Sequence, residues 1–371
     1  MSTATAQRGF RTIGQPVAER LAHRMLTDGS VPPTLLVHGP KGAGKGSFVD
    51  DLLATALCET ADPSARPCNA CPGCEMARSR SHPDLVIASP ATWRDDRGSG
   101  ESIVSAARRW LAEVAGAPIR GRWRVIVIEQ ADAANEQVQN ALLKALEEPT
   151  PRQLFILVAD DPRRLLPTIR SRALAIRLGP VPRKALAQWL LDRRPMTDEQ
   201  AAALVRLADG RVGRALTLAD NPALVEWRRR TQRELLALLD RGRADRFGAV
   251  REMLDDAARL ALGPVETGDA DGAEATAKTP TTVQRAAATA IIGAWVDLAR
   301  DLAVAGAGSP TLAGSTELVP DLIPAAGRRA PGEWVTVTIR LEGIREALEE
   351  NVSPRLALET AMLAWPQNSD R

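Results

Sequence analysis

The first 180 residues alternate short apolar runs with stretches whose apolar positions recur at helical spacing, the pattern of a parallel sheet flanked by helices. Thr34–His38 (TLLVH), Leu85–Ala88 (LVIA), Val125–Ile128 (VIVI) and Leu154–Val158 (LFILV) are the predicted strands. Val49, Leu52, Leu53 and Ala56 form one helical stripe. Val138, Ala141, Leu142, Ala145 and Leu146 form another within Asn135–Glu148, which Pro149 ends. After Gly179, Pro180 and Pro182 the strand-like runs give way to helices. Thr197 with Gln200 predicts a capping box, Asp209-Gly210 a helix stop, and Asn221-Pro222 and Ser353-Pro354 two helix starts. Gly263–Thr282 is poor in large apolar residues and reads as a disordered loop, and Gly306–Gly332 as a second irregular stretch. The expected division is an α/β domain over 1–178, a small helical module over 179–221 and an all-helical segment over 222–371.

A chain of 371 residues exceeds the roughly 250–300 at which one core stops growing, which agrees with several domains. Hydrophobic residues at 44% and charged residues at 25% exclude a mostly disordered chain. A formal charge of +2 argues against a dedicated DNA-wrapping or membrane-surface protein. No apolar run reaches the ~18 residues of a membrane span, and Met1–Gln7 lacks the apolar core of a signal peptide, so no membrane partner is expected and the cytoplasm is the expected compartment. Only five of the 48 basic residues are lysines, which makes a lysine inside a motif conspicuous.

One such lysine is Lys45, in Gly39-Pro40-Lys41-Gly42-Ala43-Gly44-Lys45, a G-x-x-x-x-G-K loop between a predicted strand and a predicted helix. Gly39, Gly42 and Gly44 let backbone N–H groups turn toward phosphate oxygens, the helix N-terminus adds positive potential, and Lys45 reaches the outer phosphates of ATP or ADP. The next residue should carry the hydroxyl that holds magnesium, and it is Gly46. Ser47 points about 100° further round the helix and is no substitute. At the end of the VIVI strand, where an Asp for the metal and a Glu for water activation are expected, stand Glu129 and Gln130. An amide is no general base near neutral pH, so nucleotide binding is allowed while hydrolysis lacks two of its requirements.

All four cysteines, Cys58, Cys68, Cys71 and Cys74, fall in a C-x9-C-x2-C-x2-C array. Four thiolates can close a tetrahedron round a structural Zn2+ and hold a module at about 58–82 that has little core of its own. An iron–sulfur cluster uses similar C-x2-C-x2-C steps. His82 is accounted for by the turn His82-Pro83-Asp84 and is not counted as a ligand.

Taken together, these residues resemble the AAA+ subunits of bacterial clamp loaders, specifically the delta-prime type of DNA polymerase III. The motifs are FRTIGQ from Phe10 to Gln15, GPKGAGK, the cysteine array, His82-Pro83-Asp84 and NALLKALEEP from Asn140 to Pro149. They continue through Asp161-Pro162, LPTIRSR from Leu166 to Arg172, LADGRVGRAL from Leu207 to Leu216 and NVSPRLALE from Asn351. The resemblance implies an α/β AAA+ P-loop domain with an inserted zinc module, a helical lid and an all-α collar through which the chain joins gamma/tau and delta subunits in a five-membered ring. That ring loads the sliding clamp onto primer-template DNA as part of a DNA polymerase III holoenzyme, a DNA-directed DNA polymerase.

The resemblance also assigns Arg172, in Ser171-Arg172-Ala173, as an arginine finger reaching the ATP of a neighbouring subunit; the family's cysteine after it is here Ala173. Gly213 stands where a sensor 2 arginine would contact phosphate, and Ala159-Asp160 replace the polar sensor 1 pair. These losses favour a subunit without hydrolysis of its own. The alternative is a gamma/tau-like ATPase in which Glu129 binds magnesium and another residue activates water. A nucleic-acid reader built on the cysteine module has little support, because no aromatic-rich basic segment is present.

Overall fold

In the computed structural model, which describes residues 9–262, 281–349 and 352–366, the chain divides into two compact units. The first comprises Met1–Arg193 with Gly210–Ala215, the second Arg194–Asp209 with Leu216–Arg371.

The first unit is built on a five-stranded parallel sheet of β1 (Thr34–His38), β2 (Leu85–Ala88), β3 (Arg124–Ile128), β4 (Gln153–Ala159) and β5 (Leu174–Arg177), in the order β2-β3-β4-β1-β5. Its helices are α1 (Pro16–Asp28), α2 (Lys45–Ala56), α3 (Pro72–Arg78), α4 (Pro90–Asp95), α5 (Ile103–Val114), α6 (Glu136–Glu147), α7 (Pro167–Arg170) and α8 (Arg183–Leu191). Leu35, Val37, Val125, Val127, Leu154 and Ile156 pack on α1 and α2 on one face, while Leu36, Ile126, Ile128, Phe155 and Leu157 pack with α4, α5 and α6 residues on the other. Burial on both faces explains why these strands read as unbroken apolar runs. The expected α/β parallel sheet is therefore present, with one strand more than the sequence showed. β5 was hidden because only Ile176 of its four residues is buried.

Strand register places the site. His38 pairs with Ala159 across β1 and β4, and Ile128 pairs with Leu157 across β3 and β4. The residues that follow these strands, Gly39, Asp160 and Glu129, thus emerge side by side at the carboxyl edge of the sheet. β1 leads away to β2 at one edge while β4 leads past β1 to β5, and the crevice outside such a reversal is where open α/β sheets bind ligands.

The second unit is helical: α9 (Asp198–Ala208), part of α10 (Val212–Asp220), α11 (Pro222–Leu238), α12 (Arg243–Leu262), α13 (Thr281–Gly306), α14 (Val319–Ala326), α15 (Pro331–Glu349) and α16 (Pro354–Ala364). The Thr197–Gln200 capping box forms, and Asn221 caps α11 by accepting from the Leu224 N–H. The helix stop falls on Asp209, which adopts the left-handed conformation itself before Gly210 does. Ser353 precedes α16 without a side-chain cap. α13 runs through the centre, burying Ile291, Ile292, Trp295, Leu298 and Leu302 against its neighbours. The irregular stretch expected over Gly306–Gly332 contains the helix α14, which carries Pro324 within it. The disordered loop expected over Gly263–Thr282 lies outside the described residues, apart from Thr281 and Thr282, which begin α13. No helix among the described residues is long and apolar enough to cross a membrane.

Candidate functional site

The glycine loop is held by steric fit. A Cβ on Gly39 would lie 2.4 Å from the Leu178 carbonyl oxygen, a distance no side chain tolerates. Gly44 has φ +91° and forms the N-cap of α2, a conformation costly for residues with a Cβ. The Gly39 N–H donates to Ala159 O at 3.3 Å, and the Gly213 N–H donates to Gly42 O at 3.0 Å. Position 213 therefore sits directly on the loop, and its glycine leaves no side chain to reach a phosphate there.

Lys45 is folded into its own loop. Its Nζ donates to Gly39 O at 2.6 Å, to Pro40 O at 3.1 Å and to the Asp160 carboxylate at 2.5 Å. The Ala159-Asp160 pair thus does more than omit a polar contact, because Asp160 supplies a counter-charge for the loop lysine. Asp132, nearly buried, holds this corner by accepting from the backbone N–H groups of Asp160 and Asp161 at 2.9 and 2.8 Å.

Glu129 is engaged by a residue that carries no motif. Arg80 donates through Nη1 to Glu129 Oε1 at 2.7 Å and through Nε to Asp50 Oδ1 at 3.1 Å. Its Nη2 lies 4.0 Å from where a Gly46 Cβ would stand. Gly46 offers no hydroxyl, Glu129 is already paired with a cation, and Ser47 is exposed. The side chains present do not fit a magnesium ion. Gln130 is exposed in a left-handed conformation beside Glu129.

The four cysteine sulfurs lie within 4.8 Å of one another, with Cys58–Cys68 at 3.6 Å and Cys58–Cys71 and Cys68–Cys74 at 3.9 Å. A tetrahedron of thiolates about 2.3 Å from a zinc ion has edges of about 3.8 Å. The set therefore fits such an ion. The Cys71 sulfur accepts from the Glu59 and Cys74 N–H groups, but burial outweighs these donors and pushes its thiol up. Burial pushes the Cys74 thiol up; at Cys68, hydrogen bonds from Thr60, Ala70 and Cys71 outweigh burial and bring it down to about 6. His82 is buried, and its Nδ1 accepts from the Asp84 N–H instead of joining the sulfurs.

Two buried carboxylates, Asp51 outside every motif and Asp84 at the end of His82-Pro83-Asp84, fasten this module to the sheet. Asp51, on α2, accepts from the Thr12 N–H and Oγ1 at 2.8 and 2.5 Å, from the Arg11 N–H at 3.0 Å and from Arg78 Nη2 at 2.9 Å. Arg78 also donates to Asn69 Oδ1, so Asp51 links the FRTIGQ segment, α2 and the cysteine module. Asp84 is fully buried and accepts from the backbone N–H groups of Ile119, Arg120 and Gly121. Burial raises its carboxyl, but these donors outweigh that and hold it below the usual range.

Arg172 lies apart from this loop, exposed after α7. Its Nη2 meets Glu147 Oε1 at 2.7 Å and its Nη1 donates to Thr168 O at 3.0 Å. Glu147 is the last residue of α6, inside the NALLKALEEP stretch, so two of the motifs meet at one surface ion pair.

Residues 14–182 match the family model described as DNA polymerase III, delta subunit. The chain is 33% identical over 173 residues to the DNA polymerase III subunit delta' of Pseudomonas aeruginosa, covering 46% of this chain and 50% of that one. It is 33% identical over 200 residues to the Escherichia coli DNA polymerase III subunit tau, covering 53% of this chain and 30% of that one. The chain spans about half the length of the Pseudomonas aeruginosa and Escherichia coli delta' subunits it matches. Among solved structures, a Thermotoga maritima RuvB variant aligns at 18% identity with a TM-score of 0.37, covering 62% of this chain and 64% of that one. The matched stretch carries both the glycine loop and the cysteine cluster, and over it this chain is similar to DNA polymerase III delta' subunits.

Proposed function

We propose that this chain is a non-hydrolysing ring member of a clamp loader, which lends Arg172 to the ATP site of an adjacent subunit while the sliding clamp is loaded onto primed DNA. One contrast carries the reading. The chain's own loop has a side chain on neither Gly46 nor Gly213 and an amide at Gln130, whereas Arg172 is exposed on the surface of the same unit. A guanidinium supplied in trans at a γ-phosphate stabilises charge that develops in the transition state. Glu147 would hold it extended until a phosphate, the stronger bidentate acceptor, takes it over.

In this reading 179–221 acts as a lid and 222–371 as the collar that meets gamma/tau and delta subunits. Support comes from α15 and α16, where Val335, Ile339, Leu356 and Leu363 are exposed. The cysteine cluster holds one structural zinc, closed by Cys58, Cys68, Cys71 and Cys74 with no open coordination position.

The test is reconstitution with gamma/tau and delta subunits. Arg172→Ala should leave assembly intact and lower the clamp- and DNA-stimulated hydrolysis that depends on the neighbouring site, by about 10³-fold or more at that site. An unchanged rate would remove the finger from the account, and failure to co-purify with those subunits would remove the ring.

A further inference from the structure

A P-loop places its divalent ion between the hydroxyl of the residue after the lysine and the acid at the end of a neighbouring strand. Here those two points are Gly46 and Glu129, and the Arg80 guanidinium spans them: Nη1 is 2.7 Å from Glu129 Oε1, and Nη2 is 4.0 Å from the Cβ position of Gly46. The arginine is fixed there. Its backbone is left-handed, with φ 58°, its N–H donates to Ala77 O, and its Nε is tied to Asp50. It sits two residues past α3, whose Arg78 is locked onto buried Asp51 and whose Cys74 belongs to the sulfur cluster. The cysteine module thus delivers a cation to the edge of the glycine loop.

We propose that Arg80 takes the place of the divalent ion, so that the loop binds a nucleoside polyphosphate in its metal-free form. The charges account for this. With Lys45 on one side and Arg80 on the other, a polyphosphate meets two cations, while Glu129 is neutralised by Arg80 and is not left to repel the anion. Arginine suits the role because its planar fork can bind Glu129 and a phosphate oxygen together without the water shell that a metal would need. The anion must also displace Asp160 from Lys45, an exchange of one partner for another of higher charge. Because Gly46 and Gln130 leave a metal without a ligand and water without a base, binding of this kind has no hydrolytic outcome. The proposal does not depend on the ring or on Arg172: a chain that binds nucleotide without metal and yet fails to assemble would sink the ring alone.

Calorimetric titration of the purified, zinc-loaded full chain with ATP and with ADP, in Mg2+-free buffer without chelator and then in excess Mg2+, is the test. Binding should be measurable without Mg2+ and weaken about tenfold or more when Mg2+ sequesters the nucleotide. In Mg2+-free buffer, Arg80→Ala should weaken it about tenfold or more, Arg80→Lys should recover part of the loss, and Glu129→Gln should tighten it. In a metal-requiring site the last change would have the opposite sign. Arg80 is part-exposed and its ion pairs are surface pairs that add little to stability, so the variants should fold, which thermal melts check. Binding that needs Mg2+, no binding in either condition, or Mg2+-free binding indifferent to Arg80→Ala would each overturn the proposal.

Discussion

Asp51 offers the sharpest test of how the cysteine module is held against the sheet. Its carboxylate is fully buried and serves four donors: the Arg11 N–H, the Thr12 N–H, the Thr12 hydroxyl and the Arg78 guanidinium. Asp51→Ala removes every acceptor at once. Arg78 has a side-chain exposure of 15%, so its charge is left with little water to replace the partner. Breaking a buried ion pair costs about 3–5 kcal/mol, and each orphaned buried N–H or hydroxyl adds about 1–3 kcal/mol before relaxation. The N-terminal segment can peel away to rehydrate Arg11 and Thr12, so the expected loss is about 3–5 kcal/mol and not the full sum. Asp51→Asn should lose less, since an amide oxygen still accepts, while its NH2 faces donors. Urea unfolding of the metal-loaded chain, followed at tryptophan, measures the loss as the shift in midpoint between variant and parent. A loss below about 1 kcal/mol for Asp51→Ala would refute the idea that this carboxylate is the joint.

Metal analysis should find about one zinc per chain, and Cys74→Ser should lower both the metal content and the melting temperature; substoichiometric metal with four titratable thiols would contradict the four-thiolate site. Gly39→Ala puts a methyl group 2.4 Å from Leu178 O and should destabilise the first unit by several kcal/mol, at about the level of an overpacked core, whereas a melting point equal to that of the parent would show that the loop has room. Burial lowers the pKa of His82, and backbone donors outweigh burial to lower that of Asp84, so both bind fewer protons folded than unfolded. Their contributions are complete above the unfolded value of 6.5 for His82 and 3.8 for Asp84 and fade as pH falls through each folded value, so stability should decline in two steps on acidification. His82→Gln should abolish the upper step in pH-dependent urea midpoints, and an unchanged profile would exclude it. Glu147→Ala breaks only an exposed pair, so it should change stability by less than about 1 kcal/mol; a larger loss would make the Arg172 pair structural.

What the sequence revealed, and what it hid, follows from how each feature is encoded. β1, β3 and β4 were legible because burial on both faces writes a run such as VIVI in consecutive residues, edge strand β2 because it is apolar throughout though half-buried, and β5 was not because three of its four residues face outward or stand half-exposed. The glycine loop and the cysteines declare themselves through fixed spacing. Arg80 and Asp51 do not. Arg80 matters because a left-handed turn after α3 aims it 49 residues along the chain to Glu129, and no local pattern records such a turn. Asp51 sits within the Val49–Leu53 apolar stripe, where a lone acid reads as an interruption. A buried carboxylate in a helix stripe beside an expected metal module is the signal that would have found it. Asp209 shows a smaller version of the same limit: the stop was visible, but not that Asp209 would adopt the left-handed conformation as well as Gly210.

Steady-state ATP hydrolysis by the purified chain, run beside Lys45→Ala, meets the central claim most directly. With no hydroxyl at Gly46 and no base at Gln130, the parent should show no turnover above that of Lys45→Ala. Turnover in the parent that Lys45→Ala abolishes would contradict the account and identify the chain as an ATPase in its own right.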